Sequence, residues 1–272
     1  MISFIMKKYT PLLCAICLVP VLVSAQDEPV KTRINKVKLG ASLSFSYNKP
    51  IFKGVDTVNG YSLVPRVNLG PAITDKNGVE VGVANAYKGP LKFILRPRFG
   101  FFNQGYDASG SSQLSGMKDR DPSFNLGLKL RTRTPIGTFI ASGGYDVIGK
   151  NDGFEGSLMY TTLVPLGSSK LRLYPELGVH YWSKRVSNYY FGVNSDETTD
   201  DNGATVRSQY SLADETKNRF LGYSAEYPLN KNWGVTHSVR KTWYDDQILN
   251  SPIVDDGKSS DLKIMFGLTY DF

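Results

Sequence analysis

Two histidines occur in the chain, His180 and His237, so any chemistry centred on an imidazole has to use one of them. Hydrolytic enzymes pair such a ring with a serine hydroxyl held within hydrogen-bond reach. Gly178-Val179-His180-Tyr181-Trp182-Ser183 offers no serine two positions from His180. In Val235-Thr236-His237-Ser238-Val239 the adjacent Ser238 falls on the opposite face of an extended chain. A phospholipase or lipid deacylase would need partners from neighbouring strands. The simpler expectation is a polar-face histidine at 180 and an interfacial or mid-strand one at 237. The carboxylate pairs Asp200-Asp201, Asp245-Asp246 and Asp255-Asp256 carry oxygens that suit Ca²⁺, but without the spacing of a calcium loop they read as solvated surface. Cys14 and Cys17 both lie in the leader described next, which leaves no thiolate, disulfide or cysteine-based metal site beyond it. Nucleotide-binding, zinc and nucleophile-elbow motifs are absent from the sequence. The expectation is a non-enzyme with no cofactor, no metal and no catalytic residue.

The first 25 residues read as a cleavable signal peptide. Lys7 and Lys8 precede an apolar run from Leu12 to Val23, and Val23-Ser24-Ala25 supplies small residues for cleavage. A membrane-spanning helix needs roughly 20 apolar residues, more than this run provides. Removing the leader takes two of the 32 basic side chains and none of the 25 acidic ones, so a small positive excess remains. With no Lys/Arg cluster, that excess argues against nucleic-acid binding. Residues 26–36 are expected to form a short periplasmic segment, and 37–272 the folded body.

What must position any functional residue is a set of long alternating strands. Val37, Leu39, Ala41, Leu43, Phe45 and Tyr47 share one face, with Lys38, Gly40, Ser42, Ser44 and Ser46 on the other. The pattern returns in Leu91 to Phe101, Phe124 to Arg131, Leu171 to Tyr181 and Leu262 to Phe272. Candidate strands fall near 37–47, 58–69, 78–87, 91–102, 123–133, 136–147, 153–165, 170–182, 217–228, 232–244 and 261–272. Segments of this length match a tilted transmembrane strand, about 9 to 11 residues, better than a globular strand of about 5 to 6. In lipid such strands have to close on themselves. The expected fold is all-β: a closed antiparallel transmembrane β-barrel of 10–12 strands in the outer membrane of a Gram-negative bacterium. An even number requires either that 58–69, interrupted by Pro65, is not a full strand or that another strand hides within 204–213. A soluble barrel with an apolar cavity would show the same alternation with the faces reversed, but Lys, Arg and Glu on the polar face suit a wet lumen.

On that reading Lys92, Arg96, Arg98, Lys129, Arg131, Arg172, Arg240 and Lys263 point inward, opposed by Glu155, Glu176, Glu226 and Asp271. They describe either a lumen plugged by ion pairs or a narrow anion-preferring pore. Long polar segments at 103–121, 183–215 and 245–260 read as extracellular loops, and the longest is acidic. Short turns at 134–137, 167–170 and 228–232 read as periplasmic. Leu268, Tyr270 and Phe272 end the chain on the apolar face, as expected of a signature for insertion into the outer membrane.

Several elements of the C-terminal half resemble the MipA/OmpV family of outer-membrane proteins, the MltA-interacting protein group. They are Asp152-Gly153-Phe154-Glu155-Gly156, then Tyr189-Tyr190-Phe191-Gly192-Val193, Tyr210, Ala213, Trp233, Ser251-Pro252-Ile253-Val254 and the terminal Tyr270-Asp271-Phe272. The resemblance covers about 150–272. It implies a scaffold that holds a murein-cleaving lytic transglycosylase to a penicillin-binding protein, or else an adhesin or a porin-like channel. The tyrosine-rich and Ser-Pro-Ile-Val elements would then serve as interaction residues, or as an aromatic girdle where outer-membrane lipid meets water.

Overall fold

The computed structural model describes residues 38–68, 72–75, 78–81, 84–88, 90–102 and 105–272, and the expected signal peptide and periplasmic segment lie outside them. Alternating sequence becomes strand throughout: β1 (Lys38–Lys49), β2 (Val58–Asn68), β3 (Ala72–Asp75), β4 (Gly78–Val81), β5 (Ala84–Lys88), β6 (Leu91–Phe102) and β7 (Ser123–Thr134). The remainder are β8 (Gly137–Asp146), β9 (Phe154–Thr161), β10 (Val164–Pro165), β11 (Arg172–Trp182), β12 (Thr216–Pro228), β13 (Trp233–Trp243) and β14 (Ser260–Asp271). All belong to one antiparallel sheet in the order β10-β11-β12-β13-β14-β1-β2-β3-β4-β6-β7-β8-β9, with β5 also on β6 and β9 also on β11. β4 and β5 run along β6 as one interrupted strand, and β9 and β10 do the same along β11. Counting β3 the sheet has twelve positions, and without it eleven, because β3 joins β2 through the single pair Asn68↔Ile73.

Two expectations change here. The stretch 58–69 is a full strand despite Pro65, whose missing N–H removes at most one ladder bond. No strand forms within 204–213, which makes only the isolated bridges Val193↔Tyr210 and Thr199↔Thr205. The extra strand position comes instead from β3.

Sidedness follows from register and exposure together. In β7, Leu126, Leu128 and Leu130 are exposed while the alternating Asn125, Gly127, Lys129 and Arg131 are less so. Leu43, Leu63, Leu158, Leu177, Leu221 and Phe266 repeat the pattern around the sheet, with Leu63 as much as 73% exposed. Water-soluble proteins do not expose a continuous apolar face of this extent. Surrounded by hydrocarbon, the same leucines sit in their preferred medium, and the hydrogen-bonded ladder leaves few peptide groups in need of water. The charged face is therefore the one turned away from hydrocarbon, and the soluble alternative has its faces the wrong way round.

Replacing Leu128 tests this directly. Leu128→Arg puts a cation on the hydrocarbon face and is expected to destabilise by about 2–4 kcal/mol near the midplane. Urea unfolding of the protein from lipid vesicles is the measurement, and wild-type stability in that variant would mean that this face meets water.

Candidate functional site

The predicted charges meet across glycines. Register places Arg98, Gly127, Gly144 and Glu155 in one row over β6 to β9. With no side chain between them, Arg98 reaches Glu155 at 3.8 Å. A second row runs Glu176, Gly222, Arg240 and Lys263 from β11 to β14. Here Arg240 donates to Glu176 at 2.7–2.8 Å, its guanidinium 4.5 Å from the Phe220 ring, which stacks on His180 at 4.6 Å. A Cβ at Gly222 would lie 2.3 Å from the Val239 carbonyl oxygen, so this row accepts nothing larger. Lys92, Arg96, Lys129 and Arg131 share the charged face on β6 and β7, and Arg172 lies opposite Glu226 at the short-turn end. His237, by contrast, is on the outer face, where Tyr223 and Phe266 pack on it.

At the short-turn end a cavity of about 260 Å³ is lined by Arg66, Arg172, Glu226, Lys231 and Asp271, among others. Arg66 and Asp271 pair across its mouth at 3.0 Å. Leu268 and Phe272 are exposed beside it, the Tyr270 ring packs at a tilt against Trp233, and the Phe272 N–H donates to the Leu39 carbonyl.

The opposite end is where expectation and structure part. The long segments do not hang as solvated loops; they fold into a cap with its own apolar core. Residues 184–191, Lys184–Phe191, form helix α1, and Asp246–Leu249 a short helix α2, with 3-10 turns at Ala108–Gly110, Ser112–Leu114 and Ser195–Glu197. Val186, Ser187, Tyr190 and Phe191 recur at helical spacing and make the buried face of α1. Val186, Tyr190 and Phe191 join Ile51, Phe52, Tyr106, Leu114, Trp182, Val193, Leu212, Ile248, Ile253 and Val254 in one cluster. The girdle reading of Tyr190 and Phe191 is thereby corrected: at 0% and 1% exposure they meet neither lipid nor water. Tyr189 is half-buried, its hydroxyl accepting from the Asp121 N–H, while Gly192 closes α1 by donating to the Asn188 carbonyl. Ser251, next to half-exposed Pro252, donates to the Phe191 carbonyl at 2.6 Å, so the two elements that carry the family resemblance are in contact. Their burial points to a structural role for most of that set.

One ion pair locks the cap. Glu197, fully buried, accepts from Arg120 through both oxygens at 2.7 and 2.8 Å. It also accepts the backbone N–H groups of Lys118 and Asn194. Arg207 donates to the carbonyls of Glu197, Gln113 and Ser115. Two chain segments, 118–120 and 194–197, thus meet at one carboxylate, and Arg207 ties a third to the carbonyls beside it. Burial by itself would raise that carboxyl, but the Asn194 N–H, Arg120 and the Lys118 N–H hold it below the ordinary range. Nearby, burial pushes the Tyr106 hydroxyl up to about 12, which keeps it neutral. Arg120, Glu197 and Arg207 were not singled out from sequence, because Glu197 stands in an acidic run that reads as surface and its partner is far away in the chain.

Loss of this lock should be visible. Glu197→Gln strands Arg120 in an apolar setting and is expected to cost the cap about 3–5 kcal/mol, read as protease cleavage within 184–215. Since the folded carboxyl titrates below the ordinary value of 4.5, its stabilisation is complete above that pH and is lost as pH falls through the folded value. Wild-type cleavage should rise in that acid window, and the Gln variant should lose that component of the pH dependence.

Comparison with known proteins follows the same lines. A family profile described as "MltA-interacting protein MipA" matches residues 21–272. The outer membrane proteins Omp26La of Vibrio anguillarum and OmpV of Vibrio cholerae are each 31% identical over 150 residues, 55% of this chain and 55% of theirs. The MltA-interacting protein of Escherichia coli is 26% identical over 164 residues, 60% of this chain and 62% of its own. The matched stretch thus spans little more than half the length of these relatives. Among solved structures, a loop-deletion form of OmpT from Vibrio cholerae overlaps at a TM-score of 0.40 with 9% identity, covering 87% of this chain and 99% of that one. That overlap is loose, and the fold rests on the strand pairing itself. With the profile matching nearly the whole chain, the protein belongs to the MltA-interacting protein family, MipA.

Proposed function

We propose that the chain is an outer-membrane β-barrel, closed over its long-loop end by a folded cap, that works as a scaffold and not as an enzyme. The outer membrane is its location. Residues 1–25 would direct export and 26–36 would lie in the periplasm beside the short-turn end, with Leu268, Tyr270 and Phe272 as the insertion signature. Closure of the sheet is part of the proposal. It is supported by the β9–β11 pairing from Thr161↔Glu176 to Glu155↔Trp182, and it is weakest at the single β2–β3 pair.

The observation that carries the scaffold reading is the cap core. Phe102 and Trp182, the last residues of β6 and β11, pack at 5.6 Å, and Phe191 stacks over Trp182 at 6.0 Å. A dry aromatic cluster at the strand ends favours a plugged molecule, as do the ion pairs that span the interior below it. The partners proposed are a lytic transglycosylase and a penicillin-binding protein. The first follows the printed name of the relative that is called MltA-interacting, and the polar mouth at the short-turn end is the surface that would face them. A second reading, a narrow pore for small anions, is favoured by Lys92, Arg96, Arg98, Lys129, Arg131 and Arg133 on adjacent strands of one wall.

Two measurements separate these. Crosslinking in intact envelopes followed by affinity purification should recover a murein-cleaving or murein-synthesising enzyme. In planar bilayers the purified protein should give no conductance steps, and replacing residues 184–215 by a short linker should produce them. Steady anion-selective steps from the intact protein, with no murein enzyme recovered, would sink the scaffold in favour of the pore.

A further inference from the structure

Charge on the apolar outer face follows a strict rule. Among strand residues whose side chains are described, the charged ones on that face are Lys49 of β1, Lys217 and Arg219 of β12 and Lys241 of β13, all exposed. Every one is a cation, and all stand within four residues of the strand ends that carry the cap. They are also neighbours. Lys49 and Lys241 both lie opposite Leu262, Lys241 lies opposite Leu221, and Arg219 lies opposite Trp243. The Lys241 ammonium is 5.2 Å from the Trp243 ring centroid. No ion pair engages any of the four among the described residues, and the exposed acids Asp214 and Glu215 lie beyond the strand end. The other rim of the wall is built differently, with Tyr227, Trp233 and Tyr270 on the outer face and no charged strand residue on that face among those described.

A cation on a lipid-facing wall is costly unless it sits at headgroup depth, where a long side chain reaches the polar layer. A tryptophan beside it marks that depth. Several like charges on adjacent strands repel one another, so their clustering favours a polyvalent anion. Lysine and arginine together suit phosphate oxygens, the arginine fork as a bidentate donor. We propose that this patch binds the phosphate groups of a glycolipid headgroup in the leaflet at the cap end of the barrel. The proposal rests on the sheet spanning the membrane, and it goes beyond the scaffold reading. It also fixes orientation: the cap lies on the side where such lipid is found, and the short turns face the periplasm.

The test uses the full exported chain in detergent micelles, titrated with a bis-phosphorylated glucosamine lipid, with the same lipid after dephosphorylation, and with inorganic phosphate alone. Retention is read by native mass spectrometry at low and high salt. The phosphorylated lipid should be held at least about tenfold better than the dephosphorylated one, with the preference shrinking as salt rises. The combined variant Lys217→Gln, Arg219→Gln, Lys241→Gln should lose that preference, and Lys231→Gln, at the other rim, should keep it. Heat-modifiable migration on detergent gels reports separately that the barrel is formed. Equal retention of both lipids by a heat-modifiable wild-type protein overturns the proposal, as does binding of inorganic phosphate alone with comparable affinity. A wild-type protein without heat-modifiable migration overturns the spanning reading itself, and the lipid site falls with it.

Discussion

Hydrocarbon offers a peptide group nothing to hydrogen-bond, and most of this molecule is an answer to that constraint. The ladder pairs from β1 round to β14 satisfy N–H and C=O groups within the sheet, which frees one face to carry leucine, phenylalanine and tyrosine outward. Polar and charged residues are then left the other face, where small residues set how closely they approach. Gly127, Gly144 and Gly222 occupy register positions between charged partners, so Arg98 meets Glu155 and Arg240 meets Glu176 across intervening strands. The same constraint governs the ends, where the chain leaves lipid and irregular backbone becomes tolerable. There the protein builds its cap.

The cap obeys ordinary aqueous rules, opposite to those of the wall beneath it. Its apolar residues are inside, its surface is polar, and its one fully buried carboxylate is neutralised by a single arginine nitrogen shared between both oxygens and by backbone donors. Two solvent regimes thus meet within one chain near Phe102 and Trp182. Sites on the cap surface and sites on the wall answer to different chemistry, water and ions above and lipid below.

Strands were legible in the sequence because their period is local: Leu126, Leu128 and Leu130 with Lys129 and Arg131 between them state both the element and its two faces. That the charges share one face of each strand was legible for the same reason. The number of strands was less so, since Pro65 looked disruptive in a strand that tolerates it and β3 is only four residues long. The cap was hardly legible. Its helix α1 is eight residues in a polar stretch, too short for periodicity to stand out, although Val186, Tyr190 and Phe191 carry the spacing. Glu197 looked like one acid among several, and its burial depends on Arg120, 77 positions earlier. Ser251 and Phe191, 60 positions apart, could be paired by resemblance but not by any local rule.

The cap also joins the two extremes of the folded body. Lys53 donates to the Ile253 carbonyl and Asp255 to that of Ile51, while Phe52 bridges Val254. These contacts span nearly the whole body, so they form late, after β14 has found β1, because non-local contacts bear the largest loop-closure cost. A ribosome-fresh or half-inserted chain has no cap to show. The cap is therefore a certificate of completed assembly: any partner that recognises its folded surface binds only finished molecules, and a protease patrolling the envelope meets open, cleavable segments until that moment.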